Sequence, residues 1–138
     1  MPQPLTPSRL PLFVYGTLRP GTPGFATYLD GAALSVRPAT VRGLLWLHPV
    51  EEYPYLSSGD GIVCGELVEV EAAAWGRIIA TLDSYEDYTA EDEPGSLYLR
   101  RPVTASPGDG TTISAWTYFW NRPDLPGTLI PGGDWFRR

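Results

Sequence analysis

Two short stretches hold the residues that can do chemistry. The first is the run Leu12-Phe13-Val14-Tyr15-Gly16-Thr17-Leu18-Arg19, an apolar strand that stops at a glycine. A glycine there lets the backbone turn sharply, and successive N–H groups can converge into an anion-binding concavity with no side chain in the way. Thr17 adds a hydroxyl and Arg19 a charge. The second is Glu86, in Leu82-Asp83-Ser84-Tyr85-Glu86-Asp87-Tyr88. At ~100° per residue, the eleven steps from Trp75 bring Glu86 back to within about 20° of an apolar helical stripe, if the helix runs that far. Burial there disfavours the charged form and raises the pKa, as a group that takes and gives a proton near neutrality requires. Together the two stretches describe an enzyme that holds a small zwitterion against backbone N–H groups. One carboxylate would move its protons, with no metal and no covalent intermediate.

Both stretches also have a plainer reading. Gly16-Thr17 and Pro20-Gly21 are ordinary turn residues, and the loop lacks the glycine spacing and lysine of a phosphate-binding loop. If the helix stops near Asp83-Ser84, Glu86 joins a solvated acidic run with Asp87, Glu91, Asp92 and Glu93.

Composition removes other mechanisms. His48 and Cys64 are the only residues of their types, so a histidine-containing triad would have to use His48, and neither an internal disulfide nor a multi-cysteine metal site can form. His48 before Pro49 reads as a surface loop residue and Cys64 as a packed thiol. No cofactor is expected. The formal charge of -6, from 16 acids and 10 basic residues, argues against nucleic acid as a partner. No apolar run approaches the ~20 residues of a spanning helix, so no membrane partner and a soluble, cytoplasmic protein are expected.

The chain of 138 residues fits one domain, expected over 11–138 behind a Pro-rich tail at 1–10. Strands are expected at Leu10–Tyr15, at Ala33–Leu47 with a bend at Gly43, and at Ile62–Val70 after a loop over 48–61. Two more are expected at Leu97–Ala105 and Thr111–Trp120, joined by the turn Ser106-Pro107-Gly108-Asp109-Gly110. Trp75, Ile78, Ile79 and Leu82 make the stripe of a helix over Glu71–Leu82, and Phe25–Leu29 has room for one or two helical turns. A solvated loop over 87–96 and coil from Asn121 complete the chain. The fold class is α+β: a small, curved, mostly antiparallel barrel-like sheet with flanking helices. A monomer or weak homodimer is expected.

One ordered series is specific. Val14-Tyr15-Gly16-Thr17-Leu18-Arg19, Gly65-Glu66-Leu67, Leu82-Asp83-Ser84-Tyr85-Glu86, Leu97-Tyr98-Leu99-Arg100-Arg101 and Ala115-Trp116-Thr117-Tyr118 together resemble the gamma-glutamylcyclotransferase-like superfamily. The likeness is to its short bacterial and plant avirulence-induced-gene-like branch, over roughly residues 11 to 135. The resemblance implies a small barrel with flanking helices, and a cyclotransferase that turns a small gamma-glutamyl amine or amino acid into 5-oxoproline and free amine. It implies Glu86 as acid/base, a substrate-binding loop at Tyr15, Gly16, Thr17 and Leu18, and Tyr118 near the pocket. Relatives often carry Gly where this chain has Asp87, and its acidic loop would favour a cationic leaving group. The alternative is a non-catalytic pocket on the same fold that binds a small metabolite or peptide end.

Overall fold

The computed structural model describes residues 7–123 and 126–138; residues 1–6 of the expected tail lie outside them. Residues 7 to 9 are tied to the body, because Trp75 Nε1 donates to the carbonyl of Pro7 at 2.9 Å and Trp116 Nε1 to that of Ser8 at 2.8 Å.

Five strands close into a ring. They are β1 (Leu12–Val14), β2 (Ala33–Leu47), β3 (Pro54–Val70), β4 (Tyr98–Ser106) and β5 (Ile113–Trp120). The order is β3-β1-β5-β4-β2, with β2 pairing back onto β3. Only β1 and β5 run parallel, through Leu12 and Trp116; the other pairings are antiparallel. A short β6 (Thr128–Leu129) adds to β2. Closure pairs the strand edges that an open sheet would leave to water.

The long hairpin of β2 and β3 differs from expectation. Residues 54–61 are strand, with Leu44 to Leu47 pairing Ser57 to Pro54, and the loop shrinks to 48–53. Ser57, Ser58, Gly59, Asp60 and Gly61 hide the strand because the segment lacks apolar alternation, yet a register slip between Arg42 and Leu44 carries both arms around one bend. Gly43 sits at that slip, and a Cβ there would meet Leu56 Cδ1 and the Ser57 carbonyl at 2.9 Å.

Alternation along β1 divides the core. Phe13, with Val41, Leu56, Val63, Leu67, Ala105 and Ala115, fills the ring. Leu12 and Val14 face the other way, onto Trp75, Ile78, Ile79 and Leu82 of α2 (Trp75–Tyr85), the expected stripe. The helix starts later than expected, after a 3-10 turn at Ala72–Ala74, and runs three residues past Leu82. A shorter α1 (Pro23–Tyr28) is capped by Thr22, whose Oγ1 accepts from the N–H of Phe25 at 3.2 Å. The C-terminal region is not all coil, since it holds β6 and a 3-10 turn at Trp135–Arg137. Among the described residues no helix is long and apolar enough to cross a membrane.

Candidate active site

The end of α2 aims Glu86. Tyr85 is the last helical residue and Glu86 the cap, its N–H bonded to the carbonyl of Leu82 at 2.9 Å. Asp87 takes φ +54° and donates to Ser84 O at 3.1 Å, while Tyr88 N–H reaches Asp83 O at 2.8 Å. These two bonds make a Schellman motif, which needs a left-handed residue at the position of Asp87. The helix therefore ends on a defined turn, and Glu86 faces a cavity instead of joining the acidic loop. Asp87→Gly is expected to raise stability by about 0.5–1 kcal/mol, and Asp87→Val to lower it, since a β-branched residue resists positive φ. Urea midpoints of the two variants measure this.

The cavity holds about 180 Å³. Tyr15, Gly16, Thr17 and Leu18 form one wall, Leu82, Tyr85 and Glu86 another, and Tyr98, Trp116 and Tyr118 come from β4 and β5. Gly16 packs on Pro54, and an added Cβ would lie 2.4 Å from Pro54 Cγ, so no larger residue fits. The loop's carbonyls are occupied: Arg19 N–H donates to Gly16 O at 3.0 Å, and Thr22 Oγ1 lies 2.9 Å from Thr17 O and 2.6 Å from Arg19 O. The N–H groups of Gly16, Thr17 and Leu18 donate to no described residue, which leaves them for a ligand.

Arg19 does not line the cavity. Its guanidinium is buried against Glu66 and Asp134, each at 2.8 Å, under the ring of Phe136 at 3.9 Å. Its side chain braces the loop's exit and is not free to bind a substrate carboxylate.

The Glu86 carboxylate makes no hydrogen bond or ion pair with any described residue. Desolvation by the cavity walls pushes its carboxyl up to about 8. The phenols around it are committed elsewhere. Tyr15 Oη donates to the carbonyl of Tyr118 at 2.7 Å, Tyr98 Oη to that of Pro54 at 3.3 Å, and Tyr118 Oη to Asp83 Oδ1 at 2.7 Å. All three phenols are held above their ordinary pKa, first by burial and further by the nearby Glu86 charge. With its proton spent on Asp83, the Tyr118 oxygen offers lone pairs to a donor. The cavity thus pairs backbone N–H groups on one wall with side-chain acceptors on another, as a zwitterion requires.

Asp83 and Arg100 are site residues that sequence reasoning missed. Asp83 Oδ2 accepts from Arg100 Nη1, and the Arg100 guanidinium lies 5.0 Å from the Tyr88 ring and 5.3 Å from that of Trp116. A signal was present: Asp83 precedes Glu86 by one helical turn, and Arg100 shares strand parity with Tyr98. The acidic loop lies outside the cavity lining. None of Asp87, Glu91, Asp92 and Glu93 lines the cavity, and Glu93 is taken up by Arg101 at 2.7 Å and by the Tyr88 hydroxyl at 2.9 Å. His48 accepts N–H bonds from Val50 and Glu51 within its own turn, and Cys64 is half-buried in β3; neither borders the cavity. Among the described residues no group of three or more His, Cys, Asp or Glu could hold a metal ion.

Comparison with known proteins bears on the fold and the family. YkqA from Bacillus subtilis superposes with a TM-score of 0.67 at 25% identity, over 94% of this chain but only 40% of YkqA. Protein PH0828 from Pyrococcus horikoshii matches at 0.62 and 26% identity, over 93% of this chain and 91% of its own. A mouse AIG2-like protein shares the fold at 0.65 and 23% identity, covering 88% and 86% of the two chains. No curated protein matches the sequence. The profile described as "Gamma-glutamyl cyclotransferase, AIG2-like" matches residues 12–137, a span that includes the loop, the end of α2 and Tyr118. With nearly its whole length under that profile, the chain belongs to the gamma-glutamyl cyclotransferase, AIG2-like family.

Proposed function

We propose that this protein converts a gamma-glutamyl amine or amino acid to 5-oxoproline and the free amine, with Glu86 as the acid/base. The observation that carries the reading is an unpaired carboxylate, raised to about 8, in the same small cavity as three unengaged loop N–H groups.

The substrate supplies its own nucleophile, so the protein has only to fold it into a ring-closing pose and manage protons. The α-carboxylate sits on the N–H groups of Gly16, Thr17 and Leu18. The α-amine lies between Glu86 and the lone pairs of Tyr118. Glu86 takes a proton from the α-amine, whose nitrogen attacks the δ-carbonyl carbon; the C=O pair moves onto oxygen. When that intermediate collapses, the bond to the leaving nitrogen breaks as Glu86 returns the first proton to it. The second proton, still on the ring nitrogen, passes through the freed carboxylate to the departing amine, leaving a neutral lactam and an ammonium. An α-amine has a reference pKa of about 8, so a carboxyl near 8 exchanges a proton with it at almost no free-energy cost.

The test is 5-oxoproline release from a panel of gamma-glutamyl amines, dipeptides and glutathione, by wild type beside Glu86→Gln. The substitution keeps the shape and removes the proton acceptor, and a loss of kcat on the order of 10²–10⁴ is expected. A wild type that binds members of the panel and turns over none would make the cavity a binding module instead.

A further inference from the structure

The cavity is too small for a whole substrate of any size. At about 180 Å³ it lies below the ~300 Å³ at which pockets begin to enclose drug-sized ligands, so it suits the glutamyl unit and leaves the amine's substituent outside. The leaving nitrogen must stay within hydrogen-bond reach of Glu86, so the substituent emerges beside Tyr85. Tyr85 faces two ways. It lines the cavity, and it also borders a shallow depression between the two helices with Tyr28, Ala80, Thr81 and Ser84.

Tyr85 is 41% exposed, a large ring that the core does not use. Its ring packs on Tyr28 at 5.1 Å and its hydroxyl shares a hydrogen bond with Thr17 Oγ1 at 2.9 Å, which fixes it between α1 and the loop. No residue of the depression carries a charge at neutral pH. The Thr81 hydroxyl is bonded to the carbonyl of Arg77 at 2.8 Å.

We infer that this depression is the leaving-group subsite, and that the enzyme favours gamma-glutamyl amides whose amine bears an uncharged apolar or aromatic substituent lying on Tyr85. The inference rests on the cyclotransferase reading above. An aromatic substituent gains ring contact and burial there, together about tenfold in kcat/KM. A carboxylate or ammonium loses part of its water and finds no opposite charge among the depression's residues, so it ranks lower.

The experiment compares gamma-glutamyl-benzylamide with the methylamide, the putrescine amide and gamma-glutamyl-glycine, read as 5-oxoproline. Wild type is expected to prefer benzylamide over methylamide by about tenfold, with both charged substrates below benzylamide. In Tyr85→Ala that benzylamide:methylamide ratio falls toward one. Ala80→Glu, on the exposed helix face, raises the putrescine:glycine ratio, and it keeps the test decisive if Tyr85→Ala fails to fold. Glu86-dependent turnover with the same ratios in all three proteins overturns the subsite and leaves the cyclotransferase standing. No 5-oxoproline from any amide overturns both.

Discussion

Raising the pH from 5 to 9 will cost the folded protein on the order of 3 kcal/mol through Glu86, and Glu86→Gln will remove that slope. The carboxyl ionises near 4.5 when free and at about 8 in the fold. Between these values the native state holds a proton that the unfolded state has released, so stability falls with pH, by at most about 1.4 kcal/mol per unit. The contribution is fully present below pH 4.5 and is lost as the pH rises through 8. The whole interval would give nearly 5 kcal/mol; about 3 remains because Glu86 is only half-buried and water in the cavity's mouth relaxes around the charge. Urea midpoints of the two proteins should converge near pH 5 and separate by pH 9, with Glu86→Gln the more stable. Parallel curves would mean that the cavity does not desolvate this carboxylate. The same ionisation places the rising limb of kcat/KM near pH 8.

The second large effect concerns Asp83 and Arg100, whose side chains are 22% and 10% exposed. Arg100→Leu leaves the Asp83 carboxylate partly buried without its cation, at a cost of about 3 kcal/mol. Changing Asp83 to Leu as well removes the orphan charge and restores most of that stability, as replacing a buried pair by apolar residues commonly does. Turnover is not restored. Asp83 holds the Tyr118 proton at 2.7 Å, and without it the phenol no longer presents lone pairs to the α-amine. A double variant with near-wild stability and kcat/KM at least tenfold down, chiefly through KM, is expected. Full recovery of kcat/KM would reduce the pair to a structural role.

The course of the chain was legible where periodicity was strong. The stripe Trp75, Ile78, Ile79 and Leu82 faces the sheet, and the alternating core of β3 and the 106–110 turn are where their residue types put them. Glu86 was legible through helical phase alone, although the Schellman turn that aims it depends on Asp87, which has no left-handed signature as plain as glycine's. The strand at 54–61 was not legible, because its small polar residues pair across a bend that only the hairpin partner fixes. Arg19 shows a different limit. A charge beside an anion-binding loop reads as a ligand, and only the fold brings Glu66 and Asp134 to it.

The Arg19 clasp also sets when the site comes into being. The cradle is four residues long, yet the bonds that fix its exit close loops of 47 and 115 residues. Contacts of such long sequence separation carry the largest closure entropy and form slowly. A nascent chain can build the β2–β3 hairpin and the helix α2 from nearby residues, but the loop from Gly16 to Arg19 stays unbraced at Arg19 until Asp134 arrives. The proposed substrate loop is therefore among the last parts of the fold to be fixed in place.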